Sequence, residues 1–159
     1  MERRLAAILA ADAVGYSRLV GEDEEGTLRT LGACREVIDG LVTEHRGRVF
    51  GSAGDSVVAE FASPVEAVRC AANIQRDLER RNADLREDRR MRFRIGINLG
   101  DVIVAGDDLL GDGVNVAARL EALADAGGIC LSQSVFDQIK NKLELDYEYL
   151  GEQKFKNIA

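Results

Sequence analysis

The chain has 159 residues, a hydrophobic fraction of 46% and a formal net charge of −7. This length predicts a single domain with a real hydrophobic core, and the composition is that of an ordinary globular protein. The acidic balance argues against a nucleic acid partner, because phosphate binding draws on a basic surface. No apolar run approaches the length of a membrane span, so we predict no membrane segment in this chain.

The cysteines indicate a reducing compartment. Cys34, Cys70 and Cys130 are odd in number, far apart in sequence, and each lies in an apolar helix or strand pattern. We interpret them as small core residues, which predicts a cytoplasmic location. The single histidine, His45, and the lack of a CxxC pair argue against a zinc site.

The first half of the chain predicts the order strand, helix, strand, strand, helix. The apolar residues 5–11 predict a buried strand that ends at Asp12. Apolar residues at helical spacing then predict one helix from the acidic residues 22–25 to Gly47. Residues 48–50 and 56–61 predict two strands joined by a glycine-rich hairpin. A capping box, Ser-Pro-Val-Glu at residues 63–66, opens a second helix.

The second half adds shorter elements to this core. Residues 93–99 and 102–105 predict two strands that turn at Gly100 and Asp101. A helix is expected at 111–124, a brief strand at 129–131, a helix at 132–142 and a last strand at 147–150. The chain is therefore predicted to have an α/β (α+β) fold, with a ferredoxin-like βαββαβ core and extra strands and helices.

This topology brings two carboxylates together. In a ferredoxin-like core the first and third strands are central, adjacent and antiparallel, so Asp12 at the end of one lies beside Asp55 at the start of the other. Two carboxylates at the rim of buried strands suit hard divalent cations such as Mg²⁺. Asn115 and Arg119 lie four residues apart on one face of a predicted helix. Metal-binding carboxylates with an Asn/Arg pair for a phosphate indicate phosphoryl-type transfer.

At these residues the chain resembles the class III nucleotidyl cyclase catalytic domain. Asp12 is followed by two residues and a Gly-Tyr-Ser sequence, and Gly54-Asp55 precedes a strand. Residues 111–119 match the pattern Gly-Asp-x-Val-Asn-x-Ala-x-Arg, and residues 155–157 match a terminal Phe-Lys-Asn pattern. Each motif alone is weak, but the four occur in the family's order over nearly the whole chain. The resemblance implies one cyclase catalytic domain over residues 1–159.

The resemblance implies two divalent ions, Mg²⁺ or Mn²⁺, in each site. Their ligands would be Asp12, Asp55 and the backbone carbonyl of Ala13. The implied reaction converts ATP to 3′,5′-cyclic AMP and pyrophosphate by in-line attack of the 3′-hydroxyl on the α-phosphate. Asn115 would orient the ribose, and Arg119 would stabilise the charge that develops on the α-phosphate.

The remaining substrate contacts are also implied by the resemblance. Backbone N–H groups around Gly15, Tyr16 and Ser17 would bind phosphate oxygens at a helix start, and Lys156 would bind the β- and γ-phosphates. In the family the Asn, Arg and Lys face the metals of a partner protomer. A homodimer with two composite sites is therefore expected.

Base selection depends on two positions. The family's adenine-type pattern has an aspartate seven residues before the helix asparagine, which is Asp108 here, and a carboxylate accepts from the adenine amino group but opposes the guanine carbonyl. The usual partner is a lysine four residues before the second metal aspartate, where this chain has Gly51. Arg48 lies three positions away and is expected on the opposite strand face. We therefore expect weakened base selectivity, with ATP still preferred.

Two alternatives stay open at this stage. One is a guanylyl or base-promiscuous cyclase, and another is a catalytically silent nucleotide-binding or dimerisation module. A palm-type diguanylate cyclase would need a GGDEF-like hairpin, which residues 51–55 do not match. The family resemblance also leads us to expect a final strand and a C-terminal regulatory region beyond residue 159.

Overall fold

The computed structural model describes residues 2–50 and 54–144, and the backbone of two strands at 147–151 and 154–157. No helix in these residues is long and apolar enough to cross a membrane. The elements in chain order are β1 (Glu2–Ala13), α1 (Tyr16–Glu22), α2 (Glu24–Glu44), β2 (Arg48–Phe50), β3 (Val57–Phe61), α3 (Pro64–Ala83), β4 (Phe93–Ala105), β5 (Asp108–Leu110), α4 (Asp112–Leu123), β6 (Ile129–Ser132), α5 (Gln133–Ile139), β7 (Tyr147–Gly151) and β8 (Lys154–Asn157), with a 3₁₀ turn at Glu87–Arg89.

These strands form one mixed sheet in the order β2-β3-β1-β4-β6-β8-β7, with β5 paired to β4. β1 is antiparallel to both β3 and β4, and β6 is parallel to β4. The order β2-β3-β1-β4 is that of a ferredoxin-like core. The predicted α+β fold class and the adjacency of the first and third strands are therefore confirmed.

Strand β1 is buried on both faces because helices and strands cover it from two sides. Its odd-numbered residues 7–13 pack into the main core with α2 and α3. Its even-numbered residues 6–10 pack into a second apolar cluster that includes Phe50, Val102 and Leu109. This two-sided burial explains the nearly continuous apolar run in the sequence.

The predicted turn at Gly100 and Asp101 is wrong. β4 runs without interruption from Phe93 to Ala105, and the chain reverses instead at Gly106 and Asp107, where Gly106 has a left-handed φ of 63°. Gly100 lies under α4, where an added Cβ would sit 3.2 Å from the Cα of Gly113. The glycine therefore permits close helix packing and does not mark a turn.

Two further boundaries differ from the sequence expectations. The predicted first helix is two helices, because Asp23 ends α1 and caps α2 by accepting a hydrogen bond from Gly26 N at 3.0 Å. The capping box at Ser63 is confirmed, since its hydroxyl accepts from Glu66 N at 3.3 Å. One strand was predicted after residue 146, and the structure has both β7 and β8 there.

Candidate active site

Asp55 and the end of β1 meet directly. Gly54 takes a left-handed φ of 58° and turns the chain so that Asp55 precedes β3. The carboxylate of Asp55 then accepts a hydrogen bond of 2.9 Å from the backbone N–H of Ala13. The topology thus brings Asp55 to the residue that follows Asp12. The role of these residues as metal ligands stays a prediction.

Arg94 binds the carboxylate of Asp12. Its Nη2 lies 3.2 Å from one oxygen of Asp12 and 3.1 Å from the other, and its Nε lies 3.2 Å from the first. The contact follows from the strand register, in which Asp12 of β1 is paired with Arg94 of β4. The hydrogen bond to Asp12 is the main reason why the pKa of Arg94 is raised. Sequence reasoning did not identify Arg94.

Glu121 adds a third carboxyl group to this cluster. Its Oε2 lies 3.4 Å from Nη2 of Arg94, and the residue is buried on the sheet-facing side of α4. Burial, together with the negative charges of Asp12 and Asp55, raises the pKa of Glu121 to about 7. Sequence reasoning missed this residue as well, because the spacing of α4 alone does not show what it packs against.

The donor chemistry of this cluster fits a hard divalent cation. Asp12 and Glu121 contact the guanidinium of Arg94, and the carboxylate of Asp55 accepts from the adjacent Ala13 N–H. Within the described ranges no three His, Cys, Asp or Glu side chains form a preassembled metal cage. Asp12, Asp55 and the carbonyl of Ala13 supply the oxygen donors that Mg²⁺ prefers. A bound ion would compete with Arg94 for Asp12.

Asn115 and Arg119 project from the opposite side of α4. Both are exposed, and neither side chain makes a hydrogen bond or ion pair within the part of the chain that the structure describes. Successive helical residues are about 100° apart, so Arg119 points roughly 160° away from Glu121 around the helix axis. Glu121 contacts the Asp12 cluster. Arg119 therefore points away from the two aspartates of its own chain.

Helix α4 lies directly on the backbone of β4. A Cβ at Gly96 would sit 2.2 Å from the backbone nitrogen of Glu121 and 2.4 Å from the carbonyl oxygen of Ala117. At the other end of the helix the side chain of Asn98 donates a hydrogen bond of 3.1 Å to the carbonyl of Gly113. These contacts fix the height and the rotation of the helix that carries the Asn/Arg pair.

The predicted phosphate-binding segment follows β1 immediately. Gly15 is the N-cap of α1 with a left-handed φ of 66°, and no side chain caps the helix. The carbonyl of Gly15 accepts from Leu19 N at 3.0 Å. The first-turn N–H groups at Tyr16 and Ser17 are thus not used by a capping side chain, and the segment begins two residues after Ala13. Its role in binding phosphate stays a prediction.

The predicted base-binding residue Asp108 lies on the β4–β5 hairpin. Asp108 is the exposed first residue of β5. Its neighbour Asp107 forms an ion pair with Arg48, at 3.8 Å between Oδ1 and Nη2. Gly51 falls outside the described residues. The backbone of Lys156 pairs with Cys130 across β6 and β8, and the structure does not describe the lysine side chain.

Residues 3–157 match the family model of the adenylate and guanylate cyclase catalytic domain. The chain belongs to this family. This cyclase domain is 51% identical, over 159 residues, to a Rhizobium meliloti (strain 1021) protein named "Putative adenylate cyclase 3". The alignment covers 99% of the chain and 27% of that relative, so the chain spans about a quarter of the relative's length.

Solved cyclase structures share the fold. The crystal structure of an adenylate/guanylate cyclase/hydrolase from Silicibacter pomeroyi superposes with a TM-score of 0.93 at 36% identity, covering 99% of this cyclase domain and 98% of that chain. A guanylate cyclase domain from Catenaria anguillulae gives 0.85 at 21% identity, with 100% and 99% coverage. The adenylyl cyclase CyaB from P. aeruginosa gives 0.82 at 19% identity, with 100% and 97% coverage. The last two show the fold alone, and the fold does not select the base.

Proposed function

We propose that this cyclase domain converts ATP to 3′,5′-cyclic AMP and pyrophosphate at two sites shared between two copies of the chain. The observation that carries the proposal is the acidic cluster at the end of β1. Asp55 is hydrogen-bonded to Ala13 N, while Asp12 lies one residue earlier in the same strand. A domain used only for dimerisation has no need of three carboxyl groups held together at a strand end.

The acidic cluster accounts for metal dependence. Asp12, Asp55 and the carbonyl of Ala13 would hold two Mg²⁺ or Mn²⁺ ions in each site. When bound, the ions supply Lewis acidity for the 3′-hydroxyl and positive charge for the triphosphate. The exposed first-turn N–H groups of the segment from Gly15 to Ser17 would bind phosphate oxygens beside them.

The second half of each site would come from the partner copy. The direction of Arg119, away from the Asp12 cluster of its own chain, supports this division. Asn115 of α4 would orient the ribose, Arg119 would stabilise the negative charge that grows on the α-phosphate, and Lys156 would bind the terminal phosphates. Removing one such positioned donor commonly lowers kcat by roughly 10²–10³.

Asp108 supports ATP as the substrate, because its carboxylate accepts from the adenine amino group. The name of the Rhizobium meliloti relative supports the same choice. A guanylyl or base-promiscuous cyclase is the second candidate, since Gly51 cannot supply the donor of the family's lysine.

A turnover assay with ATP and GTP, each with Mg²⁺ and with Mn²⁺, tests the proposal. We expect cyclic AMP from ATP, no product with a chelator, and no product from Asp12→Ala or Asp55→Ala. Asp39→Ala serves as the control, because within the described residues its carboxylate pairs with Arg35 of the same helix and with no other side chain. Full activity in either site variant would exclude the two-metal assignment. A domain that binds nucleotide without any product would be the silent module.

A further inference from the structure

We propose that Arg48 reads the base, by donating a hydrogen bond to the adenine ring nitrogen while Asp108 accepts one from the amino group. The inference rests on the proposed adenylyl cyclase function and names the residue that determines its specificity. It also replaces the expectation that Gly51 leaves the base without a donor.

The side chain of Arg48 lies along its strand. The guanidinium carbon is 4.3 Å from the centroid of the Phe50 ring, two residues further along β2 on the same face. Phe50 is only 2% exposed, so its ring is a fixed support for the guanidinium. Strand alternation alone predicted that Arg48 points away from position 51. The long side chain of arginine instead brings the charge to the C-terminal end of β2.

The curl of the sheet brings this guanidinium to the base-binding hairpin. Three strands separate β2 from β5 in the sheet, yet Arg48 Nη2 is 3.8 Å from Oδ1 of Asp107. Beneath them, Phe50 and Leu109 belong to the same apolar cluster. The guanidinium of Arg48 therefore lies beside the hairpin that carries the exposed Asp108, and the buried cluster of Phe50 and Leu109 joins the two strands.

The guanidinium keeps its donors available. Its distance to Asp107 exceeds that of a hydrogen bond, and Arg48 donates no hydrogen bond to any other residue in the described ranges. Arginine has five N–H groups and no acceptor. A ligand can therefore bind without displacing an existing partner.

A guanidinium beside a carboxylate matches adenine at two positions. Adenine presents an amino donor next to a ring-nitrogen acceptor, and Asp108 with Arg48 offers the complementary acceptor and donor. Guanine presents a carbonyl acceptor next to an N–H donor. Asp108 would then face an acceptor and Arg48 a donor, so neither hydrogen bond could form. The same pair therefore favours ATP and disfavours GTP.

Substitution of Arg48 tests the inference through the ATP/GTP ratio of kcat/KM and through calorimetric binding of 3′-deoxy-ATP and 3′-deoxy-GTP, which cannot cyclise. We expect Arg48→Ala to lower both ratios by about tenfold. Arg48→Lys should retain most of the preference, and Arg48→Glu should shift it towards guanine. Thermal unfolding checks that each variant is folded.

Arg69→Ala is a matched control. Arg69 has a side chain that is 53% exposed and an ion pair of 3.7 Å, against 54% and 3.8 Å for Arg48. A folded Arg48→Ala whose two ratios stay within twofold of wild type would overturn the inference. Wild type that binds the deoxynucleotides but makes no product would overturn the proposed function alone, because the binding ratio still tests Arg48. Wild type that neither binds nor reacts would overturn both.

Discussion

Arg94 holds both carboxylate oxygens of Asp12, at 3.2 and 3.1 Å from its Nη2. In the proposed metal site, an ion that binds Asp12 would have to displace this cationic partner. The balance between guanidinium and metal at this one carboxylate would then set how much free divalent ion the domain needs.

Replacing Arg94 should strengthen metal binding before nucleotide is added. In Arg94→Gln the ion no longer competes with a guanidinium, so we expect the Kd for Mn²⁺ to fall by roughly fivefold, or about 1 kcal/mol. Electron paramagnetic resonance of free Mn²⁺ measures this directly. Arg92→Gln is the control, since Arg92 is 33% exposed against 31% for Arg94 but pairs with Glu87. Unchanged or weaker Mn²⁺ binding in Arg94→Gln would contradict the competition.

Mixing two inactive variants should restore activity if sites are shared. Asp55→Ala lacks the metal half and Arg119→Ala lacks the phosphate half, so a mixed dimer keeps one complete site. We expect each variant alone to be inactive. The mixture should regain up to about a quarter of the wild-type rate, because about half of randomly assembled dimers are mixed and each mixed dimer keeps one of its two sites. Co-purification of two differently tagged copies confirms that mixed dimers form. Mixed dimers without activity would indicate single-chain sites.

Glu121 should make the metal-free domain less stable as the pH rises. Its pKa is raised from 4.5 to about 7 in the folded chain, so the stabilisation present below pH 4.5 is lost as the pH rises to 7. Glu121→Gln does not titrate, so its Tm relative to wild type should increase between pH 4.5 and 7 and then level off. Thermal unfolding in chelator measures this difference.

Glu87 is the control for this pH series, because its pKa is shifted in the opposite direction. Arg92 and Arg90 lower the pKa of Glu87, so any stabilisation from that group is lost as the pH falls below 4.5. Glu87→Gln should therefore show a constant Tm difference from wild type between pH 4.5 and 7, and this difference should shrink only below pH 4.5. A flat Tm difference for Glu121→Gln across the whole series would refute the raised pKa.

A methyl group at Gly96 should displace α4. The added Cβ would overlap backbone atoms of Glu121 and Ala117, which cannot move as a flexible side chain can. We expect Gly96→Ala to lower the free energy of unfolding by about 3 kcal/mol and to reduce turnover. Gly32→Ala and Gly40→Ala meet no neighbour within 4 Å in α2 and should instead stabilise by roughly 0.5–1 kcal/mol. Denaturant unfolding compares the three, and a neutral Gly96→Ala would refute the close packing.

The approach of Asp12 to Asp55 could be predicted from sequence because it follows from strand order alone. The pairing of Asp12 with Arg94 could not, since it depends on the register of two long strands whose bounds were underestimated. The same error placed a turn at Gly100. In the sequence alone, a glycine that permits close helix packing cannot be distinguished from a glycine in a turn. Glu121 was missed because the helical pattern predicts which face of α4 is buried but does not show which residues pack against that face.

Arg48 illustrates a different limit. Strand alternation assigns a Cβ to one face of the sheet, but a long side chain can lie along the strand and carry its charge about two residues further. The direction depends on Phe50 as a support and on Asp107 as a counter-charge. The contact with Asp107 is made only after the sheet has curled, and it is not visible in the spacing of the residues.

Helix α4 presents Glu121 on one side and Arg119 on the other, about 160° apart. In the proposed dimer this helix would contact the metal ligands of its own chain and the nucleotide bound by the partner copy. Because its contacts with Gly96 and the hydrogen bond from Asn98 to Gly113 fix the helix as one rigid unit, any displacement of α4 would move groups in both sites together. Filling the first site would then change the affinity of the second, so the two halves of the dimer would bind nucleotide cooperatively.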